Sequence, residues 1–204
     1  EGVKNYSILT SHVLVPPAME AILADEFCNI DGFLAAGHVC AIMGIQEYYP
    51  LVSTYKIPIV VTGFEPLDLV QGIYMAVKQL EAGKSELENQ YARVVKPEGN
   101  PAAIKVINTI FEIGVREWRG IGEIPNSGYV IKEEYRKYDA EHKFQIQHIK
   151  VPENAYCIEG EILRGIKKPN ECGQFGNACK PSNPLGAPMV SSEGACAAYY
   201  HFKT

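Results

Sequence analysis

The chain has 204 residues, 47% of them hydrophobic and 21% charged, with a formal net charge of −5. That is enough apolar material for a core domain with a small satellite, and an acidic balance without any Lys/Arg cluster argues against nucleic acid as a partner. Apolar runs such as Ile57-Pro58-Ile59-Val60-Val61 are far shorter than the roughly 20 residues that cross a bilayer, so no membrane partner is expected. Residue 1 is Glu rather than Met, which suits a processed product or a fragment.

Strand-like and helical segments alternate from the start, the pattern of a parallel sheet covered by helices. Tyr6 to Val15 reads as a strand, and Pro16-Pro17 opens a helix to about Phe27, proline being tolerated in a first turn where its missing N–H is not needed. Gly32 to Ala36 reads as a second strand, Gly37-His38 as the turn leaving it, and Val39 to Gly44 as a short helix. Ile57 to Thr62 is a continuous apolar run of the kind buried on both faces, and is expected at the centre of the sheet. After Gly63-Phe64-Glu65-Pro66, the apolar residues Leu69, Val70, Ile73, Ala76, Val77 and Leu80 follow helical spacing, and Gly83 supplies a stop.

Gln90 to Val95 is the next expected strand. Asn100-Pro101 is an N-cap and first-turn pair for a helix whose stripe runs from Ile104 to Trp118. Arg119 to Asn126 reads as a loop, Tyr129 to Ile131 as an edge strand, and Lys132 to Lys143 as a solvated helix or connector. The expected architecture is α/β: a parallel sheet with covering helices over 1–130, then a connector and a small irregular cysteine domain over 131–204.

Of six cysteines, Cys28 and Cys40 lie in apolar segments and read as structural, whereas Cys157, Cys172, Cys179 and Cys196 crowd among Gly and Pro near the end. A chain with enough apolar residues for a core has no need of disulfide staples, so a reducing, cytoplasmic compartment is expected. The spacing Cys-x14-Cys-x6-Cys-x16-Cys supplies four soft thiolates, which select zinc or an iron–sulfur cluster over magnesium or calcium. Zinc sites usually pair their ligands two to four residues apart, and no such pair occurs. Spacing alone leaves cluster, zinc, disulfides and free thiols open. Gly173, Gly176 and Gly194 can take positive φ and bring backbone N–H groups toward the sulfurs.

His12, His38 and Glu65 each fall at or near the carboxyl end of an expected strand, where open α/β sheets bind ligands, so one shared mouth is expected. Glu65 has a competing reading as a helix cap favoured by the helix dipole, and His12 as a structural residue. No Gly-x-Gly-x-x-Gly, phosphate loop or Gly-x-Ser-x-Gly occurs, so dinucleotide enzymes, P-loop ATPases and serine hydrolases lack their anchors.

Ser11 to Glu20, Gly37-His38-Val39, Gly63 to Asp68, Trp118 to Pro125, Gly160 to Gly165 and the tail through Met189 to Cys196 together resemble the HypD family of hydrogenase maturation proteins. The resemblance covers nearly the whole chain and is most specific in the tail. It implies that Cys157, Cys172, Cys179 and Cys196 ligate a [4Fe-4S] cluster and that the first part is the family's second α/β domain. It places His38 and Glu65 at motif positions of the cleft where the Fe(CN)2CO unit of [NiFe] hydrogenase is assembled, so that iron carrying cyanide and carbonyl ligands is a transient cargo.

The implied partners are HypC, HypE and the family's N-terminal part, whose Gly-Pro-Gly-Cys-Pro-Val-Cys and Cys–His motifs do not occur here. The implied role is a redox-active scaffold rather than a conventional turnover enzyme. The alternative is a non-redox docking module whose four tail cysteines hold structural zinc.

Overall fold

The computed structural model describes residues 3–149 and 154–202. Glu1 and Gly2, on which the fragment expectation rests, and residues 150–153 of the expected connector lie outside them. The protein is mixed α/β with a parallel sheet and covering helices, as expected. It forms two compact units, one of residues 1–29 with 113–204, the other of residues 30–112. This is a division by contact, whereas 1–130 and 131–204 follow a change in composition.

In the first unit the expected strand over Tyr6–Val15 is reduced to two bridges, Ile8 parallel to Asp139 and Val13 antiparallel to Gly128. The segment changes partner and direction between them, so no ladder propagates. Helix α1 (Val15–Leu23) carries its prolines in the first turn and buries Ala18, Met19 and Ile22. It ends short of Phe27 because Asp25 turns the chain, its side chain accepting the Phe27 N–H at 2.9 Å and pairing with Arg164 at 2.7 Å.

The second unit holds β1 (Phe33–Ala36), α2 (Gly37–Met43), α3 (Tyr48–Tyr55), β2 (Ile59–Thr62), α4 (Pro66–Glu81), β3 (Leu87–Asn89) and α5 (Pro101–Ile110). The strands are parallel in the order β1-β2-β3, with Ala36 level with Thr62 and Val61 level with Asn89. Strand β2 is central and buried along its whole length, as its apolar run predicts. Helix α3 has no counterpart among the expected elements, although Tyr48, Leu51 and Val52 form its buried face.

Strand β3 precedes the expected 90–95 segment. There the chain turns, and the Tyr91 carbonyl accepts N–H bonds from both Val94 and Val95. Asn100 caps α5 as predicted, its side chain accepting from Ala102 and Ala103 at 3.1 Å. The apolar stripe expected to run on to Trp118 changes character at Phe111, where β-branched residues on either side of Gly114 fit a strand better than a helix.

Helix α4 lies where its spacing predicts, but with its faces reversed. It packs through Asp68, Gly72 and Gln79, and leaves Val70, Ile73, Val77 and Leu80 exposed. A Cβ at Gly72 would collide with the Thr62 methyl, so the helix lies close on β2. Gln79 closes the far end, donating to Glu88 at 2.6 Å and accepting the Glu86 N–H at 2.7 Å.

The first unit resumes at Ile113 within β4 (Phe111–Trp118), which pairs with β5 (Gly122–Ile131) in a two-stranded sheet; the expected loop at 119–126 is thus mostly strand. Trp118 Nε1 donates to the fully buried Ser127 hydroxyl at 2.9 Å. The charged connector becomes a 3-10 turn over Glu133–Tyr138 followed by α6 (Ala140–Phe144). The tail holds α7 (Glu159–Leu163), 3-10 turns at Pro169–Glu171 and Ala187–Met189, and α8 (Ala195–Phe202). Among the described residues no helix is long and apolar enough to cross a membrane.

Candidate functional site

Four short elements bring the tail cysteines to one pocket. Cys157 stands just before α7, Cys172 closes the Pro169–Glu171 turn, Cys179 ends the loop beyond it, and Cys196 lies in the first turn of α8. All four line a single pocket whose walls include Ile158, Ile162, Phe175, Gly186 and Met189. Cys179, Met189, Cys196 and Ala197 form its buried core, with Phe175 and Leu185 packed against them. All six cysteines of the chain are free thiols.

The loop between Cys172 and Cys179 is tied by its own backbone. Phe175 N–H donates to the Cys172 carbonyl at 3.0 Å, Cys179 N–H to Gln174 at 2.9 Å, and Gly176 N–H to Cys179 at 3.0 Å. Of Gly173, Gly176 and Gly194, Gly176 alone takes positive φ, at 74°. The N–H groups aimed at sulfur come from other residues: Leu185 donates to Cys179 Sγ at 3.4 Å, and the Glu159 N–H to Cys157.

Burial, followed by the nearby thiols of Cys179, Cys157 and Cys172, pushes Cys196 up to about 11. Cys157 is raised as well, first by burial, which the Glu159 N–H partly offsets, and then by the charge of Glu159 and the other thiols. These sulfurs hold their protons at neutral pH unless positive charge enters the pocket, as a metal would bring. Among the described residues no three His, Cys, Asp or Glu side chains meet closely enough to hold a single metal ion. Four soft donors, apolar walls and N–H groups directed at sulfur suit an iron–sulfur group.

Two neighbours carry no sequence signal of their own. Glu159 is buried, and its carboxylate accepts the Ala187 N–H at 2.8 Å, tying α7 to the turn before Met189. Gly186 leaves room for Cys157, since a Cβ there would collide with its sulfur. In sequence Glu159 is one of several acids and Gly186 one of 18 glycines, and nothing local marks either.

The second candidate lies at the carboxyl edge of the parallel sheet. His38 follows β1 and Glu65 follows β2, two strands in direct register, and both side chains are exposed. The His38 ring lies 4.9 Å from that of Phe64, in the turn that carries Glu65. Glu65 occupies the N-cap position of α4 but makes no side-chain cap bond. That role falls in part to Asp68, whose carboxylate takes the Glu65 backbone N–H.

Asp68 is also gripped by both terminal nitrogens of Arg93, at 2.8 and 2.6 Å, and by Gln90 at 2.8 Å. Arg93 above all, and then Gln90, holds its carboxyl down at about 2. The Arg93 guanidinium rests over the Tyr91 ring, 4.5 Å from its centre. His12 belongs to the other compact unit, where its carbonyl accepts the Tyr129 N–H at 3.1 Å. Cys40 is fully buried against Tyr48, as a small hydrophobe would be.

The chain thus joins a parallel α/β unit with exposed His38 and Glu65 at its carboxyl edge to a pocket lined by four cysteines. The family model HypD, described as a hydrogenase formation hypA family, matches residues 1–203, and the chain belongs to that family. Hydrogenase maturation factor HypD1 of Bradyrhizobium diazoefficiens is 45% identical over 98% of this chain. Hydrogenase maturation factor HypD of Azotobacter vinelandii is also 45% identical over 98%, and a putative hydrogenase expression/formation protein of Methanocaldococcus jannaschii is 43% identical over 100%. The chain spans 55 to 56% of the length of these relatives.

Proposed function

We propose that this chain serves hydrogenase maturation as part of a scaffold that assembles the Fe(CN)2CO unit of [NiFe] hydrogenase, with a [4Fe-4S] cluster held by Cys157, Cys172, Cys179 and Cys196. The observation that carries this reading is the convergence of all four tail thiols on one pocket in a chain of the HypD family. The cluster, when bound, supplies electrons one at a time. The residues do the rest. Leu185 N–H stabilises negative charge on the Cys179 sulfur, and Ile158, Ile162, Phe175 and Met189 restrict water around the thiolates.

His38 and Glu65 form one wall of the cleft that receives iron with its cyanide and carbonyl ligands. Glu65 offers a carboxylate not spent on capping its helix, on a turn held by the Asp68–Arg93 pair. HypC, HypE and the N-terminal part of the longer family proteins complete the assembly, in the reducing cytoplasm that free thiols require. Anaerobic purification with iron, acid-labile sulfide and zinc analysis tests the cluster. Near-equal iron and sulfide per chain are expected; stoichiometric zinc without sulfide would replace this reading with a docking module whose four cysteines hold structural zinc.

A further inference from the structure

Among the described residues only two charged side chains are buried, Asp68 and Glu159. Asp68 is gripped by Arg93, whereas Glu159 forms no ion pair among those residues. Its carboxylate has one hydrogen bond, from the Ala187 N–H at 2.8 Å. The turn between β4 and β5 covers the side chain: Gly120 takes positive φ there, and an added Cβ would stand 2.7 Å from the Glu159 Cγ. A carboxylate so placed is costly to bury, because one neutral N–H replaces its hydration only in part.

Its position gives that charge a use. The Glu159 Oε2 and the Cys157 sulfur both lie within 2.9 Å of the point where a Gly186 Cβ would stand, so the carboxylate is an immediate neighbour of one thiol of the pocket. The Glu159 backbone N–H donates to the same cysteine. After burial, the Glu159 charge is also among the causes that raise Cys157 and Cys196, a half-buried and a buried thiol.

We infer that Glu159 sets the reduction potential of the cluster low, through the negative charge it holds beside Cys157. The inference rests on the proposed ligation of a [4Fe-4S] cluster by the four tail cysteines. Reduction adds one electron and forms or breaks no bond, so the incoming charge is weighed against the charge already around the cluster. Water and salt screen a surface carboxylate. At Glu159 burial leaves the repulsion strong. The consequence suits an electron supplier, since a lower potential makes the reduced cluster a stronger donor.

Anaerobic titration of the loaded 204-residue chain with dithionite, followed by visible absorption and electron paramagnetic resonance at one pH, tests this, with iron, sulfide and zinc measured in every sample. Glu159→Gln keeps an oxygen for the Ala187 N–H and removes the charge. It should load iron and sulfide like the parent, and its midpoint should rise by about 59 mV or more, a tenfold change for a one-electron couple. Glu161→Gln is the control: that side chain is 42% exposed and paired with Lys167 at 2.6 Å, and its loss should move the midpoint far less. Equal midpoints for Glu159→Gln and the parent overturn the inference. So does an equal rise in both variants, which would mark a response to net charge alone, or loss of the cluster in Glu159→Gln, which would make the carboxylate a part of pocket assembly instead. A parent chain that binds zinc without sulfide, or no cluster at all, overturns the cluster reading and this inference with it, so the two failures are distinguishable.

Discussion

Gly186 and Cys157 lie so close that a Cβ at position 186 would occupy the space of the cysteine sulfur and crowd the Glu159 carboxylate at 2.9 Å. Glycine there lets the turn before Met189 pass over Cys157 while Ala187 N–H holds Glu159. Gly186→Ala should therefore displace Cys157 from the pocket. Iron and sulfide per chain after anaerobic reconstitution should fall severalfold. Gly173→Ala is the control: nothing lies within 4 Å of its added Cβ, and loading should match the parent. Equal loading of both variants would mean that Cys157 is not a ligand, or that the turn yields freely.

The proposed ligand set makes a second, sharper prediction. Cys172→Ser should abolish the visible absorption of the loaded protein, because it removes one of the four soft donors lining the pocket. Cys28→Ser should leave that absorption intact, since Cys28 lies outside the pocket lining. Loss in both variants would refute the assignment.

The elements legible in sequence are those whose signal is local. The β2 run is apolar on every residue but its last and is buried on every residue. Asn100-Pro101 predicts a capped helix start, and the Asn100 side chain makes both cap bonds. The four cysteines can be assigned to one site because they are rare and clustered.

What stays hidden depends on partners distant in sequence. The spacing in α4 reveals that an apolar stripe exists but not which way it points. Only the fit of Gly72 over Thr62, and of Asp68 beneath Arg93, turns it outward. The strand β4 reads as a continuing helix because Ile107, Ile110, Phe111 and Val115 also satisfy helical spacing. Gly114, against which Val130 packs, and the pairing with β5 decide for strand.

At the sheet edge, Glu65→Gln separates chemistry from folding. The carboxylate makes no side-chain cap bond, so the substitution should leave thermal unfolding and metal content at parental values. In the full-length family protein it should lower hydrogenase maturation by about tenfold or more if Glu65 serves the proposed assembly cleft, the loss expected when one charged group of such a site is neutralised. A drop in melting temperature with unchanged maturation would reverse the interpretation and make Glu65 a structural residue.

Asp68 gives a pH dependence with a defined sign. Its folded carboxyl is held at about 2 by Arg93 and Gln90, below the value of about 3.9 for a free aspartate. A depressed pKa means the folded state prefers the ionised form, so this contribution is complete above about pH 4 and disappears as pH falls toward 2. In urea unfolding followed from pH 6 to pH 2, the parent should lose stability through that window more steeply than Asp68→Asn, which cannot titrate. Above pH 5 the ordering should be simple: the variant is less stable, because a neutral amide accepts the Arg93 fork less well than a carboxylate. Parallel curves for the two proteins below pH 4 would show that the Asp68–Arg93 pair does not couple folding to protonation.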